Sequence, residues 1–198
     1  LLPERLARQV AVFESLPQTY GVLFSNARFI GPQGRLLHYH HPVDAEGKAR
    51  ESVPQGEVFE AILRRYFICT PTMLIRKTLL DALGGYDTSL AFEDFDFWVR
   101  SARRCRYYYQ DEVLTYKRLH PQALSRRVYE RDNALLVSTL RVCHKAAGLV
   151  QTPAERQALG RRIETFIRKC WYAEAYALAA EFADLLRQLG HGPSVLTR

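Results

Sequence analysis

Glu93 and Asp94 are neighbouring carboxylates inside the run Ala91-Phe92-Glu93-Asp94-Phe95-Asp96-Phe97-Trp98-Val99-Arg100. Phe95, Trp98, Val99 and Ala102 recur at helical spacing behind them, so the pair falls in the first turn of an amphipathic helix predicted over residues 93–103. Two chemistries are open to such a pair. A carboxylate held at the edge of a cleft can take the proton of an attacking hydroxyl. Acidic groups in a first helical turn are also stabilised by the helix macrodipole, and for an acidic pair considered alone that role is the commoner one. Asp96 and Arg100, four residues apart, are expected to form an ion pair on the surface or behind the site.

Other residues with ligand chemistry carry less. His38, His40 and His41 lie close in sequence. Only His38 and His40 share a strand face and no third ligand is evident, so a solvated strand end is expected rather than a metal centre. The four cysteines, Cys69, Cys105, Cys143 and Cys170, are far apart and contain no C-x-x-C pair. That spacing argues against a zinc site or a disulfide scaffold and for buried free thiols in a reducing compartment.

The elements that must hold these residues can be read from punctuation and periodicity. Pro3 suits the first turn of a helix carrying Leu6, Val10 and Phe13 at helical spacing. Residues 20–30 read as a strand, Gly31-Pro32-Gln33-Gly34 as a turn, and residues 35–40 as the returning strand of a hairpin. Residues 44–54 are polar and read as a mobile loop. A short helix is predicted over 58–64, and a mostly buried extended segment over 70–75. A further helix over 77–83 is stopped by Gly84-Gly85, where glycine can take the left-handed C-cap conformation. Two short strands, 106–110 and 113–119, follow the acidic helix. Beyond Ser125 the pattern is helical: one helix over 128–147, then a second helical region announced by the capping box Thr152-Pro153-Ala154-Glu155. In that region Trp171, Ala175, Leu178, Phe182, Leu185 and Leu189 form an expected apolar face.

The chain has 198 residues, 47% hydrophobic and 25% charged, which is enough for a sizeable core and excludes disorder as the default. Its formal charge of +7 favours anionic partners in general. The cations are scattered in pairs such as Arg64-Arg65, Arg103-Arg104, Arg126-Arg127 and Arg161-Arg162, not gathered into a patch interleaved with aromatics, so no nucleic acid is expected. No apolar run approaches the roughly 18 residues needed to span a bilayer. No basic-then-apolar leader is visible. A soluble, cytoplasmic chain is expected, with peripheral contact at the inner face of a membrane left open.

The order of motifs adds what no single motif supplies. Leu2-Pro3-Glu4-Arg5-Leu6, Gly21-Val22-Leu23-Phe24-Ser25-Asn26-Ala27, Gly34-Arg35-Leu36-Leu37, Pro71-Thr72-Met73-Leu74-Ile75-Arg76, Leu83-Gly84-Gly85-Tyr86-Asp87, the acidic run, and Tyr116-Lys117-Arg118-Leu119-His120 follow one another without interruption. In this order, residues 1–125 resemble the middle of a family-2 glycosyltransferase of the GT-A fold. The resemblance implies an α/β fold, with residues 1–125 as the acceptor-side part of a GT-A domain and 126–198 as an α-helical carboxyl-terminal appendage. It makes Asp94 the catalytic base, with Glu93 beside it. It gives Gly84, Gly85 and Thr72 to the loop admitting donor and acceptor, Arg118 to phosphate binding, and His120 to the metal or diphosphate. Asn26 departs from the acidic residue common at its position.

The same resemblance implies transfer of a sugar, with inversion, from a nucleotide-sugar donor to a hydroxyl of a saccharide or related acceptor in glycan or cell-surface polysaccharide synthesis. Departure of the nucleoside diphosphate calls for Mg²⁺ or Mn²⁺ held by carboxylates. The Asp-x-Asp motif that supplies them, and the nucleotide-binding half before it, precede the segment seen here, so the chain is expected to be the carboxyl-terminal portion of a longer enzyme. Alone it is expected to be inactive, to bind no metal and to self-associate through uncovered strand edges. The alternative is a non-catalytic interaction module that uses the helical tail and the basic surface.

Overall fold

The computed structural model describes residues 2–119 and 134–190. It is a mixed α/β structure whose chain divides into two compact units. Unit 1 takes residues 2–58, 66–85 and 104–119. Unit 2 takes 59–65, 86–103 and 134–190. The boundary expected between 125 and 126 lies outside the described residues.

Unit 1 is built on strand β1, Tyr20–Ile30, the strand whose limits the sequence marks. Residues Gly21–Ala27 are buried without alternation, the signature of a strand covered on both faces. Strand β4, Arg106–Arg118, runs parallel to β1 along its whole length. On the other edge, β2, Leu36–Tyr39, and the two-residue β3, Leu74–Ile75, pair antiparallel with the two halves of β1. Phe24 centres the aromatic core, with ring centroids 5.3 Å from Tyr109, 5.7 Å from Phe67 and 6.4 Å from Tyr107.

Where two strands were expected there is one. The break read at Asp111-Glu112 is an irregularity inside β4: Ser25 pairs with Gln110, Asn26 with Val113 and Ala27 with Thr115. A bulge interrupts side-chain alternation without ending the strand. The loop before it is compact. The Asp44 carboxylate accepts the backbone N–H groups of Glu46 and Lys48, and Ala49 donates to Asp111 Oδ1 at 3.0 Å. Residues 70–75 also differ from expectation, because Pro71 sits in a short 3₁₀ turn over Thr70–Thr72 and extension begins only at Leu74.

Helix α1, Arg5–Ser15, turns a polar face inward: Arg5, Gln9 and Phe13 are buried, whereas Leu6 and Val10 are exposed. Main-chain acceptors explain the inversion. Arg5 donates to Gln9 Oε1 at 2.8 Å and to the Met73 carbonyl at 3.1 Å, and Gln9 donates to the Thr72 carbonyl at 2.9 Å. Helix α3, Lys77–Ala82, ends in the expected glycine cap. Gly84 (φ +70°) and Gly85 (φ +77°) donate to the carbonyls of Asp81 and Leu80, the paired bonds of a Schellman motif.

Unit 2 is helical: α2, Phe59–Arg64; α4, Glu93–Ser101; α5, Ala134–Ala147; α6, Pro153–Tyr172; and α7, Tyr176–Gln188. Phe166 of α6 stacks on Phe182 of α7 at 5.8 Å. The capping box is formed, with Glu155 N–H donating to Thr152 Oγ1. The Glu155 carboxylate also meets Arg103 at 2.5 Å, and the Arg103 guanidinium lies 3.4 Å from the centre of the Phe59 ring. The apolar face predicted through residues 171–189 is interrupted. Glu174, with φ +55°, closes α6 and starts a new direction, leaving Trp171 exposed while Phe182, Leu185 and Leu189 are buried. The four cysteines carry free thiols, and burial pushes that of Cys143 up to about 12.

Candidate functional site

The acidic pair is held by its own unit. Phe92 is the N-cap residue of α4 and forms no side-chain capping bond, so Glu93 and Asp94 occupy the first helical turn, half-buried. Phe95, Trp98, Val99 and Ala102 anchor the helix as their spacing predicts, all being buried. Phe92 packs on Phe95 and Trp98, with centroids at 5.7 and 6.3 Å.

Behind the pair stands Asp96, whose expected ion pair with Arg100 is formed and lies behind the site, not on the surface. Asp96 is fully buried, meeting Arg100 Nε at 2.7 Å and Lys145 Nζ at 2.7 Å. Lys145 also donates to Asp87 Oδ2 at 2.9 Å. Asp87 accepts from Ser89 Oγ at 2.6 Å and from the Ser89 N–H at 3.1 Å, and the Ala91 N–H donates to Ser138 Oγ at 2.8 Å. Residues 87–96 are thus tied to α5 at three points. The Ser89 hydroxyl and the Lys145 ammonium together hold the Asp87 carboxyl below its ordinary range. Burial depresses the Lys145 ammonium, but its bonds to Asp96 and Asp87 outweigh that and leave it above its usual value.

Tyr86 is the neighbour that sequence reasoning missed. Its ring lies 4.9 Å from Phe97, and its phenol is raised above the ordinary value, first by burial and then by the charges of Asp94 and Glu93. A tyrosine directly after Gly84-Gly85 was the available signal; its direction was not.

The remaining candidates lie in unit 1. Thr72 is fully buried; its hydroxyl donates to the Cys69 carbonyl at 2.7 Å and accepts the Ser25 N–H at 3.3 Å. Arg118 donates to the carbonyls of Gly31, at 3.0 Å, and Pro32, so its guanidinium clasps the β1–β2 turn. Gly84 and Gly85 form the cap described above. His120 lies outside the described residues. Asn26 is fully buried, accepting from the N–H groups of Ala27 and His41 and donating to the His41 carbonyl. His38 stacks on Phe29 at 4.6 Å, and His41 Nε2 is 2.9 Å from the Phe67 carbonyl.

Among the described residues no group of three or more His, Cys, Asp or Glu side chains is placed to hold a metal ion. None of their helices is long and apolar enough to cross a membrane.

No protein-family model matches the chain. It is similar to an uncharacterised glycosyltransferase of Rickettsia typhi, 21% identical over 186 residues, covering 92% of this chain and 57% of that protein. A second uncharacterised glycosyltransferase, from Rickettsia prowazekii, is 21% identical over 199 residues, covering 98% of this chain and 61% of that protein. The chain therefore spans about three fifths of the length of these curated relatives. This similarity supports a relationship to glycosyltransferases.

Proposed function

We propose that the chain supplies the acceptor-activating part of a family-2 glycosyltransferase of the GT-A fold, with Asp94 as the base. The observation that supports the glycosyl-transfer part of the reading is the similarity, over nearly the whole chain, to two proteins named as glycosyltransferases. A sugar hydroxyl becomes an effective nucleophile as its proton is taken, and a carboxylate with an ordinary pKa of about 3.9 is ionised at pH 7 to take it. Attack on the anomeric carbon from the side opposite the departing nucleoside diphosphate inverts the configuration. Glu93 adds negative charge beside the base, while Lys145, through Asp87 and Asp96, positions the turn that presents both.

In this reading Gly84, Gly85 and Thr72 belong to the loop that admits donor and acceptor, and Arg118 and His120 serve the diphosphate side. Mg²⁺ or Mn²⁺, a nucleotide-sugar donor and a saccharide acceptor belong to the full-length protein, acting in the cytoplasm or at the inner face of a membrane in polysaccharide synthesis. The isolated chain is inactive. It self-associates through exposed Leu6, Val10, Leu36 and Leu37, the latter two on edge strand β2. Light scattering that finds only monomer at working concentrations would contradict the self-association.

The test is sugar transfer by the full-length protein, assayed with a panel of nucleotide sugars and hydroxyl acceptors. Asp94→Asn should remove transfer while leaving donor binding; turnover by the 198-residue chain alone would overturn the assignment of inactivity. The interaction-module alternative has one observation of its own, the exposed Trp171, Tyr172 and Tyr176 where α6 meets α7.

A further inference from the structure

On one face of the unit 1 sheet, register places Arg28 of β1 directly opposite Tyr39 of β2 and Tyr116 of β4. The three side chains meet. The guanidinium lies 5.5 Å from the centre of the Tyr39 ring and 5.1 Å from that of Tyr116, and it donates to their hydroxyls at 3.0 and 3.3 Å. Arg28 is therefore preorganised at the wall of a cleft of about 360 Å³, within the roughly 300–1,000 Å³ common to small-molecule sites. The turn carrying Lys48 forms another part of the wall.

The cleft is lined by three cations, Arg8, Arg28 and Lys48, and three carboxylates, Glu46, Asp111 and Glu112, of which Glu46 has no ion-pair partner among the described residues. Glu112 is paired with Arg8 at 2.6 Å, and the Asp111 carboxylate accepts both the Ala49 N–H and the Tyr109 hydroxyl. Among the described residues no carboxylate pairs with Arg28 or with Lys48, whose ammonium donates to the Asp111 carbonyl at 3.0 Å. Arg28 Nε is buried with no hydrogen-bond partner. A guanidinium fixed between two phenols, in a wall that also carries the Lys48 ammonium, complements an anionic group. The tyrosine hydroxyls and the Glu46 and Glu112 carboxylates of the same wall complement hydroxyls, which both donate and accept.

We propose that this cleft binds an anionic sugar, its carboxylate or phosphate resting against Arg28 and Lys48 and its hydroxyls against the tyrosines and glutamates. The choice of a sugar over other anions rests on the glycosyl-transfer reading; the demand for an anion rests on the cleft alone. Uronates and sugar phosphates share the required chemistry.

The test is calorimetric titration of the 198-residue chain at fixed ionic strength with glucuronate, glucose 6-phosphate, glucose and inorganic phosphate. At least one anionic sugar should bind tenfold or more tightly than glucose, and which one does identifies the anion. Arg28→Gln should weaken that binding at least tenfold, and Lys48→Gln, in an exposed turn where folding is not at stake, severalfold. Equal binding of glucose, unchanged affinity in both variants, or no binding of any probe would overturn the proposal. Inorganic phosphate binding as tightly as the sugar phosphate would overturn its saccharide part. Sugar binding in a chain whose full-length protein transfers no sugar would sink the transfer reading and leave the cleft standing. Transfer without cleft binding would do the reverse.

Discussion

Replacing Lys145 by Met should loosen the segment that carries the acidic pair, and the size of the effect can be worked from the geometry. Lys145 Nζ bridges Asp96 Oδ1 at 2.7 Å and Asp87 Oδ2 at 2.9 Å. The Asp96 side chain is 0% exposed, so losing one of its two cations leaves a buried carboxylate dependent on Arg100 alone. A hydrogen bond to a charged group contributes about 1.5–3 kcal/mol. Because Lys145 is itself 39% exposed, solvent screening reduces its share to about 1–2 kcal/mol. In a chain of this size each kcal/mol lowers Tm by about 2–4 °C, so a fall of roughly 2–8 °C is expected.

Both tryptophans, Trp98 and Trp171, lie in unit 2, and their fluorescence during thermal unfolding reports on it. Lys77→Met, which removes an exposed pair with Asp81, is the control and should cost under about 0.5 kcal/mol. The pH dependence carries a signature. Asp87 is depressed in the folded chain, so the stability it gains from Lys145 is present above the ordinary carboxylate value of about 3.9 and is lost as pH falls through the folded one. Lys145 is raised, so its contribution is complete below about 10.4 and is lost as pH rises through its folded value. The gap between wild type and Lys145→Met should therefore be a plateau that closes at both ends. A Tm change no larger than that of Lys77→Met, or a gap independent of pH, would refute the positioning role.

Gly21→Ala should destabilise unit 1 by about 1–3 kcal/mol, because the added Cβ would stand 2.7 Å from Cys105 Cβ, Cys105 Sγ and Leu79 Cδ2; a denaturant midpoint equal to wild type would contradict that packing. Thr152→Ala removes the hydroxyl that accepts the Glu155 N–H and should cost about 0.5–2 kcal/mol by chemical denaturation, an effect absent from Thr152→Ser.

What the sequence discloses depends on whether the partner is local. The strand Tyr20–Ile30, the Gly84-Gly85 cap and the Thr152–Glu155 capping box are written in consecutive residues and appear as expected. The Asp96–Arg100 pair is legible from its four-residue spacing, but the second cation that buries Asp96, Lys145, is 49 positions away and is not. The inward face of α1 is concealed for the same reason: Arg5 and Gln9 are buried by the carbonyls of Met73 and Thr72, which no periodicity announces. Asp111-Glu112 reads as a strand break because a bulge and a turn look alike in one chain. At the candidate site, the first-turn position of Glu93 and Asp94 was legible from Phe95, Trp98 and Val99. The Tyr86 neighbour and the Lys145 bridge were not, since both depend on how residues 86–92 turn back.

The central claim is that Asp94 takes the acceptor proton, and sugar transfer by the Asp94→Asn variant of the full-length protein tests it most directly. Loss of a general base predicts a fall of roughly 10²–10⁴-fold in turnover with donor affinity retained and the fold intact. Turnover within a few-fold of wild type in a folded Asp94→Asn protein would contradict the assignment.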